Sequence, residues 1–175
     1  MAQDPPDEAR ARFEALAAEV VEPVRRFLVR RTDRDTAEDV LAETLLVCWR
    51  RVEEVPDLPL PWVYAVARNC LHNAERAARR QDRVAARIMA QPVDPGPPDD
   101  PALHRALGEL RAEEAELVRL WAWEQLTPAE IAVVLGISPN AASSRLTRAR
   151  KKLSDGLRKS GAAAGHEGSR EGRRS

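Results

Sequence analysis

Apolar residues recur along this chain every three or four positions, the spacing of one helix face, and strand-like alternation is nearly absent. Phe13, Leu16, Ala17, Val20, Val24, Phe27 and Leu28 form a first apolar stripe, with Pro23 placed to kink or split its helix. A second helix is predicted to start at Asp35, an N-cap residue with Glu38 three positions on. It turns Val40, Leu41, Thr44, Leu45, Cys48 and Trp49 inward. The run from Val55 through Pro56, Pro59 and Pro61 reads as a proline-rich loop. A third helix then runs from about Trp62 to about Arg83, burying Val63, Val66, Ala67, Cys70, Leu71 and Ala74. The pattern breaks at Ala90. Residues 91–101 hold five prolines and three aspartates and almost nothing to bury, the composition of an extended linker. The expected fold class is therefore all-α: two small helical domains over 10–88 and 103–158, joined by a Pro/Asp-rich linker over 89–102. A disordered tail is expected over 159–175, where Gly, Ala, Ser and Arg dominate.

The densest local signal lies between Thr127 and Leu146. Thr127 is an N-cap, Pro128 the first helical residue and Glu130 the capping-box partner. Ile131 and Leu135 face inward, and Ala132 is small enough to let a second helix approach. Gly136 ends the first helix in the left-handed conformation that glycine adopts most cheaply, and Ser138-Pro139 starts the next. Two short helices around a tight glycine turn make a helix-turn-helix, whose second helix enters a DNA major groove. An ordinary helical hairpin with good caps would share these features. Against it stands the outward face of the second helix, which offers Asn140, Ser143, Ser144, Thr147, Arg148, Lys151 and Lys152 and almost nothing apolar.

Charge changes this picture only in its distribution. The chain has 28 basic and 28 acidic residues, which by itself argues against nucleic acid. From Arg145 to Lys159, however, seven basic residues face one acidic residue, and from Arg68 to Arg87 six face two. The acidic residues gather near the N-terminus and from Glu109 to Glu130. Two basic patches on an otherwise acidic chain point to local phosphate contact, although a solvated helix face accounts equally well for the first patch alone. Cys48 and Cys70 sit in apolar helical patterns and read as buried free thiols. The three histidines are scattered, so no metal site, catalytic residue or cofactor is expected. The N-terminus lacks the basic start and apolar stretch of a signal peptide, and no apolar run approaches the roughly 18 residues of a membrane span. A cytoplasmic location with no membrane partner is expected.

Two motifs resemble one known family. Leu126-Thr127-Pro128-Ala129-Glu130-Ile131-Ala132 with Leu135-Gly136, followed by Ser144-Arg145-Leu146-Thr147-Arg148-Ala149-Arg150-Lys151-Lys152-Leu153, is similar to region four of bacterial RNA polymerase sigma factors. Asp35-Thr36-Ala37-Glu38-Asp39-Val40-Leu41-Ala42-Glu43-Thr44, then Cys48-Trp49-Arg50 and Pro61 to Asn69, resembles region two. Regions two and four alone, on a short linker, are the layout of the extracytoplasmic-function class. The resemblance implies a protein that binds core RNA polymerase, through the β′ clamp helices and the β flap, and directs initiation at promoter DNA. It also implies an anti-sigma factor as partner. Asp39, Glu43 and Arg50 are the implied polymerase contacts. Asn69, His72, Asn73, Arg76 and Arg80 recur as one polar-basic stripe and are the implied minus-ten contacts.

For the minus-thirty-five element, the resemblance implies Ser143, Ser144, Thr147 and Arg148 as readers and Arg145, Arg150, Lys151 and Lys152 as backbone contacts, with Asn140 a further DNA-binding candidate. The chain departs from the family in the loop before Trp62, which is short and proline-rich where relatives carry Gly, Ser and an aromatic residue. Ser143 is also smaller than the residue many relatives have there. The alternative function is a stand-alone helix-turn-helix regulator, which would need a dimer for affinity and has no use for a region-two helix.

Overall fold

Each apolar stripe of helical spacing forms a helix, and the described residues contain no strand. The computed structural model describes residues 7–85 and 101–167. In chain order these form α1 (Asp7–Val29), α2 (Arg34–Arg50), α3 (Pro59–Ala85), α4 (Pro101–Gly108), α5 (Ala112–Ala122), α6 (Pro128–Leu135) and α7 (Pro139–Glu167), with one 3₁₀ turn at Val52–Glu54. The chain divides into two compact units, one holding α1 to α3 together with residues 133–136, the other holding α4, α5 and α7. Residues 86–100, which include most of the segment expected to be a linker, lie outside the described residues.

In the first unit α1, α2 and α3 pack pairwise. α1 is not split at Pro23. Leu16, Val20, Val24, Phe27 and Leu28 are buried on both sides of the proline, and each is worth about 1.5–3 kcal/mol. Their sum exceeds the roughly 3 kcal/mol that an interior proline costs. Phe27 packs against Tyr64 of α3 with ring centroids 5.0 Å apart, and the Arg31 guanidinium lies 3.7 Å over the Phe27 ring. Tyr64 is buried although it lies outside the predicted apolar stripe. Phe13 meets Trp49 edge-on at 5.1 Å, and both rings are half-buried.

Two boundaries differ from the expectation. The cap of α2 is Asp33, not Asp35: its Oδ1 accepts from the Thr36 backbone N–H at 2.9 Å. That hydrogen bond holds the Asp33 carboxyl below its usual pKa. Asp35 instead sits in the first turn, where its charge complements the helix dipole. α3 begins at Pro59 rather than near Trp62, because a proline in the first turn gives up no hydrogen bond. Pro59 and Pro61 are both buried, and the connecting loop shrinks to Val55–Leu58.

In the second unit α4 and α5 both pack on α7. Leu107, Leu110, Ala115, Val118 and Ala149 form a core cluster, with Leu103 and Leu153 packed against it. Gly156 lets α7 approach α4 closely, since a Cβ there would stand 3.3 Å from the Ala106 Cβ. α7 continues to Glu167, so 159–167 are helical where a disordered tail was expected. Ala162, Ala163 and Ala164 are strong helix formers and extend an existing helix at no nucleation cost. Residues 168–175 lie outside the described residues.

Candidate nucleic-acid interface

The helix-turn-helix is built by local chemistry at each of its joints. The Thr127 backbone N–H donates to Glu130 Oε2 at 2.7 Å, and the Glu130 N–H donates to Thr127 Oγ1 at 3.3 Å, closing the predicted capping box. At the far end of α6, Gly136 has φ +64°, its N–H reaches the Val133 carbonyl at 3.4 Å, and Ile137 N–H reaches the Ala132 carbonyl at 3.1 Å. Those two bonds form a Schellman cap, which requires the left-handed glycine. Ser138 then caps α7, its Oγ accepting from Ala141 N–H at 3.2 Å. Ile131 is buried as predicted and Leu135 only half-buried, while the small Ala132 is buried beside them.

Burial of Ala142, Leu146 and Ala149 fixes which side of α7 faces outward. Asn140, Ser143, Ser144, Arg145, Thr147, Arg148, Arg150, Lys151 and Lys152 are all exposed. Their hydrogen bonds divide them. Thr147 Oγ1 donates to the Ser143 carbonyl at 3.0 Å, and Arg148 Nε donates to the Ser144 carbonyl at 3.2 Å. Lys152 Nζ donates to Glu114 Oε1 of α5 at 2.5 Å, and this bond depresses the Glu114 pKa. The Arg150 guanidinium lies 4.1 Å over the Trp121 ring, also from α5. The two flanking cations of α7 are thus engaged by α5, one at each of its ends, while Asn140, Ser144, Thr147 and Lys151 form the centre of the outward face.

On α3, Asn69, His72, Asn73, Arg76 and Arg80 are exposed opposite the buried Val63, Val66, Ala67, Cys70 and Leu71. Glu75 pairs with Arg79 at 3.2 Å at the edge of this stripe. Before the helix, Arg51 binds Glu54 at 2.5 and 2.9 Å and lies 5.3 Å from the Trp62 ring centroid. The Arg51 guanidinium lowers the Glu54 pKa. On α2, Asp39, Glu43 and Arg50 are exposed along one face, with Leu46 between them at 46% exposure.

The "Sigma-70, region 4" family matches residues 101–153, which cover α4 to the middle of α7. The ECF RNA polymerase sigma factor SigL of Mycobacterium tuberculosis is 33% identical over 139 residues, 73% of this chain and 78% of SigL. The RNA polymerase sigma factor CarQ of Myxococcus xanthus is 36% identical over 156 residues, 84% of this chain and 90% of CarQ. The chain belongs to the ECF RNA polymerase sigma factors. It acts in transcription initiation.

Solved sigma-factor structures share the fold of this ECF sigma factor. RpoE of Bartonella quintana, in complex with the anti-sigma factor NepR, superposes with a TM-score of 0.63 at 22% identity, over 83% of this chain and 96% of RpoE. CnrH, in complex with the cytosolic domain of CnrY, gives 0.54 at 26% identity, over 84% and 88%.

Sequence reasoning missed three residues of this sigma factor's surface. Leu46 is spaced four from Ala42 and Arg50 within a polar face, a signal overlooked beside its buried neighbours. Trp121 and Glu114 become visible only once α5 lies against α7. The thiols are buried as expected, and burial pushes Cys48 up to about 11 and raises Cys70. Among the described residues no group of His, Cys, Asp or Glu could hold a metal ion, and no helix is long and apolar enough to cross a membrane.

Proposed function

We propose that this sigma factor docks on core polymerase through α2, reads the minus-ten element with α3 and reads the minus-thirty-five element with α7. The observation that carries the reading is the outward face of α7. It is polar and basic from Asn140 to Lys151, and it is mounted on a helix-turn-helix whose caps and glycine turn are all formed. Arg148 contacts a base edge, and Lys151, nearly a turn further along, meets phosphate. Arg145 flanks them on the backbone. On α3, Asn69 and Asn73 offer base-edge hydrogen bonds, while His72, Arg76 and Arg80 follow the strand's phosphates. Asp39, Glu43 and Arg50 face the β′ clamp helices around an apolar centre at Leu46, and the second unit meets the β flap.

RpoE was solved with the anti-sigma factor NepR and CnrH with the cytosolic domain of CnrY, and an anti-sigma factor is the corresponding partner here. The polymerase supplies the chemistry, so the chain needs no catalytic residue of its own. In vitro transcription with core polymerase, followed by mapping of start sites, tests the reading. Start sites should share two spaced upstream elements, and scrambling either element should abolish initiation. Transcripts that depend on only one element would overturn the division of labour between α3 and α7.

A further inference from the structure

Two neighbouring residues on the outward face of α7 each spend one donor on a carbonyl of their own helix. A carbonyl oxygen carries no proton, so the 3.0 Å contact between Thr147 Oγ1 and the Ser143 carbonyl uses the single hydroxyl proton of Thr147. What remains on that oxygen is acceptor capacity alone. Arg148 is the opposite. Its Nε–H is spent on the Ser144 carbonyl at 3.2 Å, leaving the two Nη groups, which only donate. Asn140, Ser143 and Ser144 each carry both donor and acceptor capacity, and Lys151 only donates. No acidic residue lies between Asn140 and Lys152, so Thr147 is the one dedicated acceptor on this face.

In the major groove the donors are exocyclic amines, N6 of adenine and N4 of cytosine. We propose that Thr147 determines specificity at one base pair of the minus-thirty-five element by accepting a hydrogen bond from an exocyclic amino group. The inference rests on α7 being the minus-thirty-five reader. Rotating the hydroxyl toward a base acceptor would break the Ser143 bond, so guanine and thymine, which present O6 and O4, are disfavoured at this position of the contacted strand. The Thr147 methyl group, the alternative source of selectivity through a thymine methyl, is separated from the hydroxyl by substitution.

The test is transcription by core polymerase with the wild-type chain, Thr147→Val, Thr147→Ser and Arg148→Ala, on promoters carrying every single-base-pair change in the minus-thirty-five element. Wild type and Thr147→Ser should prefer adenine or cytosine over guanine or thymine at one position of one strand by about three- to ten-fold, the effect of one hydrogen bond. Thr147→Val should flatten that preference. Replacing the preferred base by an analogue without its exocyclic amine should lower wild-type activity by the same factor and leave Thr147→Val unchanged. Purine serves for adenine and 2-pyrimidinone for cytosine, which separates the two amine sources. The proposal is overturned if wild type is indifferent to the analogue, if Thr147→Val keeps the preference, or if Thr147→Ser loses it and so reveals a methyl contact. If Arg148→Ala relaxes one pair while Thr147→Val relaxes none, only the Thr147 proposal fails. If neither variant changes any preference, α7 is not the reader. Indifference of the wild-type chain to the analogue overturns the proposal even where Thr147→Val folds poorly.

Discussion

Exposed cations on one helix are not equivalent, and α7 shows why. Lys151 projects into solvent, whereas Lys152 is held at 2.5 Å by Glu114. A lysine that neutralises a phosphate releases a counterion, and each one contributes about one unit to the slope of log affinity against log salt. Lys151→Ala should lower that slope by about one unit for every promoter bound by the holoenzyme. Lys152→Ala should lower it by clearly less, and equal slopes would show that Glu114 releases Lys152 to DNA. The thiols permit a second prediction at this scale. The thiolate is the reactive species, and Cys48 is raised from 9.0 to about 11, so its thiolate fraction near neutral pH falls about a hundred-fold before steric protection is counted. Iodoacetamide at pH 8 should leave Cys48 unmodified in the folded chain and alkylate it promptly in denaturant. Mass spectrometry of the Cys48 peptide under both conditions decides the matter.

Helix ends and faces carry the next predictions. A Cβ on Gly136 would meet nothing within 4 Å, so Gly136→Ala introduces no clash. Its cost is conformational, because an alanine at φ +64° occupies the left-handed region at about 1–2 kcal/mol. Denaturant unfolding should show a loss of that size, and a loss near zero would mean that the α6–α7 turn relaxes. On α2, Leu46 is 46% exposed among Asp39, Glu43 and Arg50, an apolar spot ringed by charge in the manner of an interface centre. Leu46→Asp should weaken core polymerase binding at least ten-fold while leaving helicity and melting temperature within error. Unchanged affinity would move the docking face off this side of α2. Leu45 and Leu46 look alike as letters; packing against α1 and α3 makes one half-buried and the other exposed.

At the scale of the whole molecule, opposite charges balance at 28 against 28 while the basic ones cluster on α3 and α7. Few phosphates are neutralised by two small patches, so the free chain should bind promoter duplex weakly and with a shallow salt slope. Addition of core polymerase should make binding promoter-specific. Fluorescence anisotropy of a labelled promoter, with and without polymerase, measures this. Tight specific binding by the free chain would fit a stand-alone helix-turn-helix regulator instead.

The residues of this protein determined its helices, its family and the outward faces of α2, α3 and α7, because each of these depends on interactions within about four residues. The Thr127–Glu130 box, the Gly136 turn and the Ser138 cap are bonds between near neighbours, and each forms where the letters place it. Tertiary structure decided everything that depends on a distant partner. Burial on both sides of Pro23 overrode the break it invites. Tyr64 became core only through Phe27. The division of the α7 cations into those held by α5 and those turned outward came from Glu114 and Trp121, 38 residues before Lys152 and 29 before Arg150 in the chain. No periodicity within one helix reports such a pairing, since ion pairs and cation–π contacts depend on where a second helix comes to lie.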